Sequence, residues 1–398
     1  MAFINVEECI NKLLAQPLKL PATVATDLLE ARDRVLAEDV VSDIDVPPAD
    51  NSAMDGYAIR ASDLDSTNSL PIDQRIQAGD EPKTLIRNTA ARIFTGAEIP
   101  SGADTVVMQE NCIVDSNLVS FNETILAGSN IRRQGQDIAS GSVVVKKGQR
   151  LRAQELGLLA SIGLTKANTY QPLKIAIVNT GNELIEPGQA LKKGQIYNSN
   201  RFLLDGILNG WGFDVTHCEI VADNFSSTKE ALKKISQSND IVITTGGVSV
   251  GEEDHIKPAV EALGVIDLWK VAIKPGKPFA FGHIQDTPFI GLPGNPASVF
   301  ATLLILARPF LLKQQGLNAD NWQTNILNSV ANFDKKISNR EDYLRARYSD
   351  GKVDIYPNQS SGVLSSASWG NCFVKQSVGE TIHQNQNASI LLYSDLLK

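Results

Sequence analysis

TTGGVSVGEED, residues 244–254, joins a strand-like run to a helix-like one. Ahead of it DIVITT, 240–245, is short, apolar and β-branched, as expected of a strand covered on both faces. Gly246 and Gly247 let the backbone turn sharply and approach a ligand closely, and Gly251 relaxes the far side of the loop. Glu252, Glu253 and Asp254 then open a helical pattern, DHIKPAVEALG, where carboxylates suit the positive end of the helix dipole. In open α/β folds, a loop at the carboxyl end of a sheet strand is where ligands bind.

The same alternation extends to either side. From Lys174 the chain reads strand KIAIVN, helix SNRFLLDGILNGWG, strand DVTHCEIV, helix SSTKEALKKISQ, strand DIVITT, a helix, a strand, and a long helix from about 296 to 315. Strands alternating with helices predict a mostly parallel sheet with both faces covered. TGNEL then places Thr180, Gly181 and Glu183 at the end of the first strand, with Asp223 after the second and Asp254 after the third. KPGKP (274–278) and GLPGNP (291–296) follow the next strands, each resembling a stiffened anion-binding turn. Lys274 and Lys277 bring positive charge, and Pro275 and Pro278 fix the turn that presents them. In the second turn, after Pro293, Asn295 suits an N-cap and Pro296 the first helical position, so the helix start is expected to offer free N–H groups to an anion.

Glu183, Asp223 and Asp254 are therefore expected to converge beside an anionic ligand. Each such pair costs about 4 kcal/mol at ~4 Å under an effective dielectric near 20. A hard divalent cation offsets that repulsion, since carboxylates and phosphate oxygens together complete the shell of Mg²⁺. Gly247-Val-Ser249-Val-Gly251 also matches a nucleophile elbow. The acids at 252–254 would repel the charge developing in its oxyanion hole, which argues against a serine hydrolase.

Outside this segment the patterning changes. Residues 6–14 and 24–36 carry apolar residues at helical spacing and predict two amphipathic helices. Residues 40–57 form a small-residue loop with Asp50, Asn51, Ser52 and Asp55, broken by Pro47-Pro48. From about 58 to 148 the chain is short strand-like runs, including a hairpin pattern over 112–121, and a helix follows at 153–162, stopped by Gly163. The last 70 or so residues return to short strands and predict a small β domain.

Composition narrows the function classes. The chain has 398 residues, 42% of them hydrophobic, and a net charge of −8, which disfavours a nucleic-acid or anionic-membrane surface. Its longest apolar run, 300–312, is broken by Arg308 and Pro309 and is too short to span a bilayer. The start lacks a secretory pattern, so the cytoplasm is the expected location. Cys9, Cys112, Cys218 and Cys372 are scattered, which points to reduced thiols with neither zinc nor a disulfide framework.

DNSAMDGYA, RIFTGAEIP, TGNEL, GGVSVGEED, KPGKPFAFG, GLPGNPAS and LSSASWGNCF, in this order, resemble the MoeA family of molybdopterin molybdenumtransferases from end to end. The resemblance implies an α/β and β multidomain fold. Its parts are a discontinuous domain I (1–45 and 140–172), an inserted β-rich domain II (46–139), a MogA-like three-layer α/β domain III (173–323) and a C-terminal β-barrel domain IV (324–398). The implied reaction inserts molybdate into adenylylated molybdopterin and releases AMP with Mg²⁺. It further implies a homodimer with a shared active site, and a molybdopterin adenylyltransferase and apo-molybdoenzymes as transient partners.

Carried over by motif, Asp50, Thr95 and Asp137 would approach from domain II of one subunit, and Glu183, Asp223, Asp254, Lys274 and Lys277 from the α/β domain of the other. Asp254, Glu183, Asp223, Asp50 and Asp137 would be the catalytic set; Asp254 and Glu183 would hold metal or the pterin, with Asp223 a further metal ligand, the lysines would bind phosphate or molybdate, and Ser249 would donate a hydrogen bond. Two departures stand out: Asn182 where relatives often carry Asp, and Gln136 where Glu is usual. The alternatives are a molybdopterin-binding carrier or scaffold, and a MogA-like adenylyltransferase, which shares only the α/β segment.

Overall fold

In the computed structural model the α/β segment is built on a six-stranded sheet in the order Asp214–His217, Lys174–Asn179, Ile241–Thr245, Thr287–Leu292, Ala280–Ile284, Gly264–Trp269. The model describes residues 3–122, 124–218, 220–222, 224–247 and 255–398. The first four strands run parallel, and Ala280–Ile284 runs antiparallel to both of its neighbours. Alternation within each strand fills both faces. Ile175, Ile177, Ile241, Ile243, Ile290 and Leu292 pack with Leu204, Leu208 and the 296–314 helix, whereas Val178, Val242 and Phe289 pack with Leu232, Ile256 and Val260 on the other side. The expected three layers are present.

Helix 296–314 is the spine of the larger core. It is 19 residues long with mean hydropathy 1.4, and 89% of its apolar window is buried inside the protein. By length and composition it could cross a membrane, contrary to the expectation from the 300–312 run. Here it is a core helix. Pro309 sits within it because the preceding turn, Leu303–Ala307, opens to π geometry and relieves the clash with the carbonyl four residues back.

The C-terminal strands close on themselves. Glu341–Ser349 pairs with Lys352–Ile355 and Cys372–Gln376, and Leu327–Ala331 joins Lys352–Ile355 to Asn387–Leu392, which returns to Cys372–Gln376. The result is a five-stranded barrel. A sixth, short strand from the α/β segment, Ile273–Lys274, adds in parallel to Glu341–Ser349. KPGKP is thus anchored to the barrel.

Towards the N-terminus, Thr23–Asp27 pairs with Lys166–Tyr170, Val40–Val41 with Val143–Val145, and Asn51–Ser52 with Ile131–Arg132. The chain leaves along one path and returns beside it. Between the two paths lies a further six-stranded sheet, Thr105–Met108, Gly56–Ile59, Ala90–Ile93, Ser69–Ile76, Leu118–Phe121, Cys112–Asp115.

Helix Val6–Leu14 forms, with Asn5 Oδ1 accepting from the Glu8 amide at its N-cap. The helix predicted over 24–36 does not. Thr23, Val24 and Thr26 are β-branched and enter the strand Thr23–Asp27, where the Thr26 and Thr169 hydroxyls meet at 2.7 Å. Turns follow, with Asp33 at φ 64°. The helical spacing of Leu28, Ala31 and Val35 arises because successive turns drop these residues into buried clusters.

Candidate active site

A cavity of about 940 Å³ opens at the carboxyl ends of the parallel strands. Thr180 and Glu183 reach it from the first strand, Thr245 and Gly246 from the third, residues 274–278 from KPGKP, and Pro293, Asn295 and Pro296 from the turn before the long helix. Gly181 backs onto the Glu183 carboxylate. Gly247 lies at φ 64°, and a Cβ there would fall 2.4 Å from Ile256 Cγ1, so this turn packs only without a side chain. Ser249, Gly251, Asp223 and Asp254 lie outside the described residues.

The barrel supplies the rest of the wall. Arg340, Gln359, Ser360, Ser361 and Gly362 line the same cavity as Lys274 and Lys277. Arg340 is held from behind, its Nη1 donating to the Ile273 carbonyl at 3.2 Å. Buried Arg345 holds the 359–362 loop through Nη2 to the Ser360 carbonyl and Nε to Ser366 Oγ, both at 3.0 Å. Lys277 Nζ sits 5.2 Å from the centroid of the Phe3 ring, a cation–π contact that draws the N-terminal segment against the loop. Among the described lining residues, three cations (Lys274, Lys277, Arg340) oppose one carboxylate, Glu183. This charge set suits a dianion.

Comparison with known proteins agrees with this assembly. Three family models match in sequence: MoeA N-terminal region (domain I and II) over 4–163, probable molybdopterin binding domain over 176–313, and MoeA C-terminal region (domain IV) over 334–393. A Haemophilus influenzae protein named molybdopterin molybdenumtransferase is 37% identical across 95% of this chain and 97% of its own length. A Nostoc protein of the same name is 36% identical over 90% of this chain and 86% of that one. The crystal structure of the Pyrococcus horikoshii molybdopterin biosynthesis MoeA protein superposes with a TM-score of 0.87 at 28% identity, covering 98% of this chain and 100% of that one. The chain belongs to the MoeA family.

Within this MoeA-family chain one expectation at the site fails. The helix start at Asn295–Pro296 does not hold free N–H groups. The Ala297 amide donates to the Ser361 carbonyl at 3.0 Å, and those of Ser298 and Val299 to the Asn295 carbonyl at 3.0 Å. Asn295 itself makes no capping bond, and its Nδ2 donates to Ser361 Oγ at 3.0 Å. The barrel loop takes the Ala297 donor and the helix's own Asn295 carbonyl takes the next two, so anion binding falls to side chains. Arg340 and Ser361 were missed because each reaches the cavity from a different domain, with no local motif to mark it.

Asp50, Thr95 and Asp137 stand apart, and none of them lines this cavity. Asp50 accepts from the Gln134 amide at 2.8 Å and from Arg133 Nη1 at 2.6 Å. The amide bond, aided by the Arg133 guanidinium, holds its carboxyl below the usual carboxylate range. Thr95 gives both its amide and its hydroxyl to Asp55 Oδ1, at 2.8 and 2.7 Å, which lowers the Asp55 carboxyl likewise. Asp137 is exposed. Gln136 accepts from the Arg133 amide at 3.1 Å and closes that turn, work for which a neutral amide suffices.

A carboxyl lowered by folding stabilises the fold above its unfolded pKa, and that contribution is lost as pH falls through the folded value. Acidification below the usual carboxylate range is therefore expected to loosen the Asp50 and Asp55 turns. Hydrogen exchange at the Gln134 and Thr95 amides checks this, and unchanged protection in acid would contradict it.

A Mg²⁺ site needs several oxygen ligands in octahedral array. Among the described residues Glu183 is the only carboxylate on the cavity wall, and no group of three or more His, Cys, Asp or Glu is placed to hold a metal. These residues alone do not fit the ion.

Proposed function

We propose that this chain inserts molybdenum from molybdate into adenylylated molybdopterin, releasing AMP and completing molybdenum cofactor. The observation that carries the proposal is the cavity where, among the described residues, Lys274, Lys277 and Arg340 accompany one carboxylate, Glu183. Molybdate and a phosphate group are both tetrahedral oxyanions, and clustered cations bind them by charge and by charge-assisted hydrogen bonds. Arg340 offers a planar fork, whereas the lysines act as point charges. The cavity is also large enough for more than one small anion.

In this proposal water attacks the molybdopterin-side phosphorus of the phosphoanhydride, the bond from that phosphorus to the bridging oxygen breaks, AMP leaves with that oxygen, and the cations stabilise the charge that develops. Dependence on Mg²⁺ is part of the proposal through Glu183, Asp223 and Asp254 together, the latter two resting on sequence alone. So are a cytoplasmic location, transient contact with a molybdopterin adenylyltransferase and apo-molybdoenzymes, and a homodimer. In the dimer Asp50, Thr95 and Asp137 of one subunit complete the cavity of the other.

The test is AMP release from adenylylated molybdopterin by the purified chain with Mg²⁺, with and without molybdate. Molybdate-dependent release together with reconstitution of an apo-molybdoenzyme is the expected result. Tight binding without release would instead make the chain a carrier.

A further inference from the structure

A second cavity of about 780 Å³ adjoins the first on the barrel side, lined by Lys274, Lys335, Lys336, Arg340 and the carboxylate of Asp334 with the turn at 337–339. Lys274 and Arg340 border both cavities. Beneath Lys274 lies Asp342, its partner in the strand register between the α/β segment and the barrel. The Asp342 side chain is only 2% exposed. Its Oδ2 lies 3.2 Å from Lys274 Nζ and 3.7 Å from Lys335 Nζ. That oxygen accepts no hydrogen bond.

A buried carboxylate must stay compensated, because an unpaired charge out of water is far costlier than the pair itself. If Lys274 were its sole counter-ion, an anion in the first cavity would have to draw that ammonium away from Asp342. Lys335 removes the conflict. It reaches the same oxygen from the second cavity and does not line the first.

We infer that Asp342 and Lys335 form a positioning pair for Lys274. Asp342 holds the Lys274 ammonium at the cavity rim, and Lys335 keeps Asp342 neutralised when Lys274 turns to the substrate oxyanion. This deepens the proposed function and rests on it: the ligand is a tetrahedral dianion, and Lys335 sets its affinity without touching it.

The experiment is calorimetric titration of the full-length chain with molybdate at fixed ionic strength, alongside steady-state kinetics. Lys335→Gln is expected to weaken molybdate binding about fivefold, the size of coupling seen between neighbouring charges. KM for molybdate should rise in step, with kcat little changed. Lys335→Arg should restore binding. Lys336→Gln, which removes a cation from the same cavity without a contact to Asp342, should leave affinity within about twofold, as ordinary surface substitutions do. In an Asp342→Asn background, Lys335→Gln should have no further effect.

Equal weakening by Lys336→Gln and Lys335→Gln would reduce Lys335 to a general cation and overturn the inference. So would unaltered binding in Lys335→Gln. A wild-type chain that binds no molybdate would overturn the reading of the first cavity itself.

Discussion

Arg340→Ala is expected to lower kcat/KM for molybdate by about 30- to 140-fold, the loss of one strong charge-assisted contact of roughly 2–3 kcal/mol at about 1.4 kcal/mol per decade. Among the described residues three cations line the cavity, and of these only Arg340 comes from the barrel and only it presents a planar fork. Its backing bond to the Ile273 carbonyl fixes that fork against the strand leading into KPGKP. Arg340→Lys should recover part of the loss in affinity, since charge returns without the bidentate geometry. Differential scanning fluorimetry should show both variants melting within a few degrees of wild type, because Arg340 is half-exposed and outside the core. An unchanged kcat/KM in Arg340→Ala would mean that the barrel closes the cavity without contributing to anion binding.

Arg340 also marks where sequence patterning stops being informative. The strand–helix alternation from Lys174 onward is a local signal, because each strand buries both faces and each helix one, and the six-stranded sheet follows from it. The glycine and proline turns at 246–247, 274–278 and 293–296 gather at one cavity, since strands of one parallel sheet end on one side. The barrel wall carries no such signal. Arg340 meets KPGKP through parallel pairing between residues 273–274 and 341–342, about 70 positions apart in sequence, and Ser361 meets the helix start through Asn295 and the Ala297 amide. The helix assigned to 24–36 fails for a related reason. Its apolar spacing reports burial alone, and turns satisfy that burial as well as a helix would. Of the amides expected to be free at 296–299, that of Ala297 meets Ser361 from another domain, which no reading of GLPGNP could supply, while those of Ser298 and Val299 close on the Asn295 carbonyl.

The second large effect is on stability. Gly276→Ala is expected to destabilise the chain by about 2–4 kcal/mol, combining backbone strain with overpacking. Gly276 lies at φ 108°, where a side chain is strained, and its Cβ would fall 2.3 Å from Thr302 Cγ2. Thr302 is fully buried in the first turns of the core helix, its hydroxyl bonded to the Ser298 carbonyl at 2.8 Å, so it cannot swing aside. The turn must move instead, and with it Lys274 and Lys277 on either side. Stability and molybdate affinity should therefore fall together. Thr302→Ser separates the two causes, because it deletes the clashing methyl and keeps the hydroxyl. The double variant should regain the overpacking share, about half of the loss, and retain the share due to positive φ. Chemical denaturation of the single and double variants measures both. If Thr302→Ser gives no recovery, the methyl contact does not govern the turn, and the strain of an L-residue at this φ is the whole effect.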